Sequence, residues 1–124
     1  MRIILIIGFG GFLGTISRYL TTRYFQNLFF SAFPFGTFTV NILGSLLLGI
    51  IYGIVESKNL MNTELRLFLT VGFCGGFTTF STFANENFMF LRDGNFYHLI
   101  LYTTLSILLS LAAVLIGYSL IKLF

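Results

Sequence analysis

Apolar residues fall into four long runs, Ile3 to Phe25, Phe35 to Val55, Leu65 to Leu91 and Phe96 to Leu120, separated by short polar punctuation. Each run meets the roughly 20 residues that a helix needs to cross a bilayer. The first connection, Gln26 to Pro34, is rich in Phe, and its proline suits the start of the second helix. Glu56, Ser57, Lys58, Asn59, Asn62, Glu64 and Arg66 mark a solvated second loop, and Arg92, Asp93, Gly94 and Asn95 a tight third one. The pattern predicts an all-α integral membrane protein, one four-helix transmembrane domain over residues 1–124.

Within the apolar runs the polar and small positions recur every four residues, so each set forms a stripe along one helix face. The first helix carries Gly10, Gly14, Arg18 and Thr22, the second Thr37, Asn41, Ser45, Gly49 and Gly53, and the fourth Tyr102, Ser106 and Ser110. Arg18 either snorkels to the interface or ties helix ends together and shapes an anion's approach. Asn41 needs a partner in an apolar medium, either another helix or a permeating anion that takes its amide N–H. The third helix differs from the rest. Residues 72–83, Gly-Phe-Cys-Gly-Gly-Phe-Thr-Thr-Phe-Ser-Thr-Phe, hold three glycines and five hydroxyl or thiol groups. Small residues there suit close helix contact. They equally suit a helix broken near its middle, unwound at Gly75-Gly76, because irregular backbone at membrane depth persists where it is buried in protein or lines a cavity. Further along, Phe80, Phe83, Glu86 or Asn87, and Phe90 share a face beside Thr78, Thr79, Ser81 and Thr82. Four helices each bearing a polar stripe point to a wet or ion-lined interior.

Composition narrows the function. The chain is 56% hydrophobic and 9% charged, with a mean hydropathy of +0.94, whereas soluble domains carry about 25% charged residues. A net charge of +3 without any Lys/Arg run gives no footing for nucleic acid. One cysteine, Cys74, excludes an intrachain disulfide, and one histidine, His98, gives no metal cluster. No nucleophile constellation or paired carboxylate argues for an enzyme. The first run continues past Gly14 to Arg18 without a small-residue cleavage site, so it reads as a retained helix and not a signal peptide. Arg2, Lys58, Arg66 and Lys122 fall on one side of the membrane and Arg18, Arg23 and Arg92 on the other, four against three. So small a bias leaves orientation undirected and predicts dual topology, with two inverted copies paired about an axis in the membrane plane. A chain this small also needs a second copy to build a site from packed helices.

Three stretches resemble the Fluc (CrcB) fluoride channel family: Gly-Gly-Phe-Leu-Gly-Thr-Ile-Ser-Arg-Tyr (10–19), Thr-Phe-Thr-Val-Asn (37–41) and the glycine- and threonine-rich run 72–83. The resemblance extends over the whole chain in length, helix number and motif order, and the third motif is the most specific. It implies passive efflux of cytoplasmic fluoride across the cell (inner) membrane through two pores of an antiparallel homodimer in lipid. It places Asn41, Phe80, Phe83, Ser81, Thr82, Tyr102, Ser106 and Ser110 along the fluoride pathway. Arg18, Thr37 and Glu86 fall at polar positions near the vestibules or helix ends. The backbone carbonyls of Gly75 and Thr78 match those that hold a central structural sodium ion. Neutral donors and the positive edges of phenyl rings suit a small, strongly hydrated anion. They bind it without the grip of a lysine, and conduction requires such weak binding. The alternative is a small dual-topology proton-coupled multidrug exporter, which shares the size and charge balance but needs a carboxylate that the first helix lacks. A non-transporting assembly subunit is the third reading.

Overall fold

The computed structural model describes residues 1–124, helical apart from its connections. Helix α1 is Arg2–Leu28, α2 is Phe35–Lys58 and α5 is Phe96–Leu123. The third span, Thr63–Arg92, is divided into α3 (residues 63–77) and α4, Phe80–Arg92. All four spans are long and apolar enough to cross a membrane, with mean hydropathies from 1.4 to 2.4. The helices outrun the apolar stretches by up to three residues at an end, because a helix can continue into the polar interface. Local chemistry sets their limits. Pro34 stands at the N-cap of α2, and Asn59 closes that helix in the left-handed region at φ 44°. Asn62 and Asn95 cap α3 and α5, their Oδ1 atoms accepting from Leu65 N and His98 N.

The third span departs from a regular helix twice. Phe68–Cys74 is wound as a π-helix, a form that occurs mostly as short bulges inside α-helices and frequently at functional sites. Thr78 and Thr79 then adopt extended backbone, at ψ 158° and 119°, before α4 begins. Over its whole length the span bends by only 19°. The expected unwinding at Gly75-Gly76 is not found there, since Gly75–Phe77 is helical. Packing against α1 gives the reason. A Cβ on Gly76 would lie 2.6 Å from Gly11 O, and one on Gly72 2.7 Å from Ile7 O, so both glycines let α3 press its backbone onto α1. Gly10 and Gly14 meet them from the other side, against Phe68, Gly72 and Phe73. The glycine stripe of α1 is therefore a dry contact.

Helices α2 and α5 form the other close pair, with Gly49 against the Val114 carbonyl and Gly117 against that of Leu46. This crossing brings the polar ends of their two stripes toward α3 and α4. Only 19 of 124 residues are buried, so most apolar side chains face outward, as they do in a protein whose solvent is lipid.

Candidate functional site

Where α2, α3, α4 and α5 converge, a groove of about 420 Å³ opens on one side of the chain. Asn41, Gly44 and Ser45 line it from α2, and Thr70, Cys74 and Gly75 from α3. Thr78, Thr79, Phe80 and Phe83 close one wall, and Ser106, Ile107 and Ser110 of α5 the other. No charged side chain lines it. Its polarity comes from hydroxyls and one amide, and its aromatic rim from Phe80 and Phe83, whose ring centroids are 5.8 Å apart. Phe80 stands at the mouth, 79% exposed.

Beside the groove the extended residues Thr78 and Thr79 of the third span are held by side-chain hydrogen bonds. Asn41 Nδ2 donates to Thr79 O at 3.1 Å while Asn41 Oδ1 accepts from Thr79 N at 2.8 Å. One amide thus satisfies both backbone groups of an extended residue, which at membrane depth would otherwise cost several kcal/mol, of order 2–7. Thr79 Oγ1 accepts from Thr82 N at 3.2 Å and so caps α4. Thr78 Oγ1 donates back to Cys74 O, and Ser45 Oγ to Asn41 O. Two kinds of donor remain. The second N–H of Asn41 Nδ2 is left over beside the groove, and Ser106 Oγ is buried in the groove wall with no partner. A buried hydroxyl without a partner is rare enough to call for a ligand or water.

Behind the groove lies a second polar knot. Glu86 Oε1 accepts from Thr37 Oγ1 at 2.6 Å and Glu86 Oε2 from Tyr102 Oη at 2.7 Å. Tyr102 is fully buried among Phe33, Phe38, Phe83 and Phe90, with the Phe83 ring 5.1 Å away. On its outer side Glu86 borders a smaller cavity of about 280 Å³ with Pro34, Asp93 and Asn95 near the third loop.

Of the residues expected to form a pathway, Asn41, Phe80, Phe83, Ser106 and Ser110 come together in the groove, with Gly75 and Thr78 beside them. Tyr102, Thr37 and Glu86 form the adjoining knot. Ser81 and Thr82 lie on the exposed face of α4, outside the lining, and Arg18 sits half-buried on α1, away from both. Thr79, which no motif or stripe singles out, is the N-cap that a helix restarting at Phe80 needs. Asn87 likewise has a partner that the chain's periodicity does not indicate, accepting from Thr103 Oγ1 at 3.0 Å.

The family model described as CrcB-like protein, Camphor Resistance (CrcB), matches residues 5–118. The chain belongs to the CrcB family. A Bacteroides fragilis protein named fluoride-specific ion channel FluC is 52% identical over 122 residues, 94% of each chain. A Campylobacter lari protein of the same name is 44% identical over 119 residues, 96% of this chain and 97% of its own. Another from Azobacteroides pseudotrichonymphae is 40% identical over 124 residues, 100% of this chain and 99% of its own. This CrcB chain is a multi-pass membrane protein of a channel family, and not an enzyme.

Proposed function

We propose that the chain is a fluoride-selective channel through which cytoplasmic fluoride leaves passively, protecting the cell from fluoride toxicity. The observation that carries this reading is the charge-free groove in which an amide N–H, the unpartnered Ser106 hydroxyl and two phenyl rings converge. Fluoride enters such a site only if donors replace its tightly held water. It leaves again only if their grip is weak, and neutral donors hold it less tightly than a lysine would. Ring edges are weakly positive and supply an intermediate grip. The relatives' names supply the ion.

The working unit in this reading is an antiparallel homodimer with two pores. Supporting it, the groove is open along a face that no part of the chain covers, with Gly75 and Phe80 both exposed there. A structural sodium ion at the centre of the dimer belongs to the same reading, and the backbone of the third span fits it. In an unbroken helix Thr79 N would bond Gly75 O and Thr82 N would bond Thr78 O. Thr79 N instead goes to Asn41, and Thr82 N to Thr79 Oγ1. The Gly75 and Thr78 carbonyls have thus lost those donors. Two inverted copies would present four such oxygens, a donor set suited to a hard cation. When bound, that ion supplies positive charge beside the anion paths and joins the two copies.

Nothing in the structure favours a proton-coupled exporter. Helix α1 has no Asp or Glu, and Glu86 is already taken up by Thr37 and Tyr102. The test is release of trapped fluoride from proteoliposomes, with and without an imposed pH gradient. The channel reading predicts release in both conditions; release only under a gradient would favour an exporter, and none at all an assembly subunit.

A further inference from the structure

Helix α4 is held in place by few means. None of its residues is buried, and on its N-terminal side it continues only into the extended Thr78 and Thr79, which transmit no helical register. Polar links to α5 compensate. Asn87 uses both ends of its amide: Nδ2 donates to Phe83 O at 3.1 Å, and Oδ1 accepts from Thr103 Oγ1 at 3.0 Å. The neighbouring Glu86 accepts from Tyr102 at 2.7 Å. Two successive residues of α4 therefore bond two successive residues of α5. Successive positions on a helix point about 100° apart, so the Asn87 anchor adds a second direction of restraint to the Glu86 contacts with Tyr102 and Thr37 and narrows the rotation of α4 about its own axis. Phe83 lies one turn upstream, its carbonyl tied into the Asn87 link and its ring against Tyr102 at the groove.

We infer that Asn87, with Thr103, is a positioning pair that sets where the Phe83 ring stands in the groove. The inference rests on the proposed reading of the groove as the ion path. Asn87 itself does not line the groove, so it acts through Phe83 and not on the ion.

The test uses full-length protein in liposomes, with size-exclusion profile and thermal unfolding recorded for every variant. Asn87→Leu and Thr103→Val are each expected to slow fluoride release roughly threefold, the weight of one interhelical hydrogen bond in a membrane. Their combination is expected to be no slower than either alone. Thr103→Ser, which keeps the hydroxyl, restores the rate lost in Thr103→Val. In a Phe83→Ile background Asn87→Leu adds no further loss, a result that a merely stabilising role would not produce. Unchanged release in both single variants, or losses that multiply with Phe83→Ile, would overturn the pair. If the unaltered protein releases no fluoride, the channel reading fails separately. The pair is then judged by amide hydrogen exchange, where unchanged protection of residues 80–92 in Asn87→Leu and Thr103→Val overturns it and raised exchange in both upholds it.

Discussion

The amide of Asn41 pairs with Thr79 as one strand residue pairs with another, giving one hydrogen bond and taking one at 3.1 and 2.8 Å. This exchange lets two residues in the middle of a membrane span leave helical geometry without stranding their polar groups. Asn41→Asp keeps the shape and the acceptor but replaces the donor, setting a carboxylate oxygen against the Thr79 carbonyl. The variant is expected to be less stable by about 1–3 kcal/mol, to unfold at lower temperature in detergent, and to release fluoride more slowly. Unfolding at the wild-type temperature would contradict the role given to the pair.

Phe80 and Phe83 make different predictions for stability and the same one for flux. Replacing either with Ile keeps bulk and removes the ring edge, so each variant is expected to slow fluoride release about fivefold, as for a contact of about 1 kcal/mol. Phe80 is 79% exposed in the single chain, on the face that a second copy would cover, so Phe80→Ile leaves the unfolding temperature of the dissociated chain near wild type. Phe83→Ile loses its contact with Tyr102 and lowers it. Wild-type release rates in both variants would show that ring edges do not coordinate the ion.

Adjacent glycines in the third span should respond in opposite ways. A Cβ on Gly76 meets Gly11 O at 2.6 Å, whereas one on Gly75 finds nothing nearer than Thr70 O at 3.9 Å. Gly76→Ala is therefore expected to destabilise the fold by about 1–3 kcal/mol, and Gly75→Ala to leave it folded. Thermal unfolding of the two purified variants checks this, and equal effects would contradict the α1–α3 packing described above.

How much of this the sequence discloses depends on whether a residue's partner is local. Four spans and the four-residue stripes follow from hydropathy and helical period, and the cap at Pro34 from the proline itself; that Asn41, Ser106 and Ser110 lie along one path follows only from the family resemblance. The position of the interruption does not follow, because Gly75 and Gly76 look alike until α1 is laid against one of them. Asn41 invites a partner, but that the partner is the backbone of Thr79 depends on a contact 38 residues away in the chain. Asn87 and Thr103 sit on separate helices with nothing in the spacing to couple them.

The near-even distribution of cationic residues, four on one side and three on the other, predicts insertion in both orientations. A C-terminal reporter active only outside the cell and another active only inside should both give signal when fused to the intact chain. Signal from one alone would remove the antiparallel arrangement, and with it the four-carbonyl sodium site.

The most direct measurement is efflux of fluoride and of chloride, side by side, from liposomes holding the purified protein. A groove of neutral donors and ring edges matched to a small hydrated anion predicts rapid fluoride release with chloride retained. Retention of fluoride, or release of chloride at a similar rate, would contradict the account.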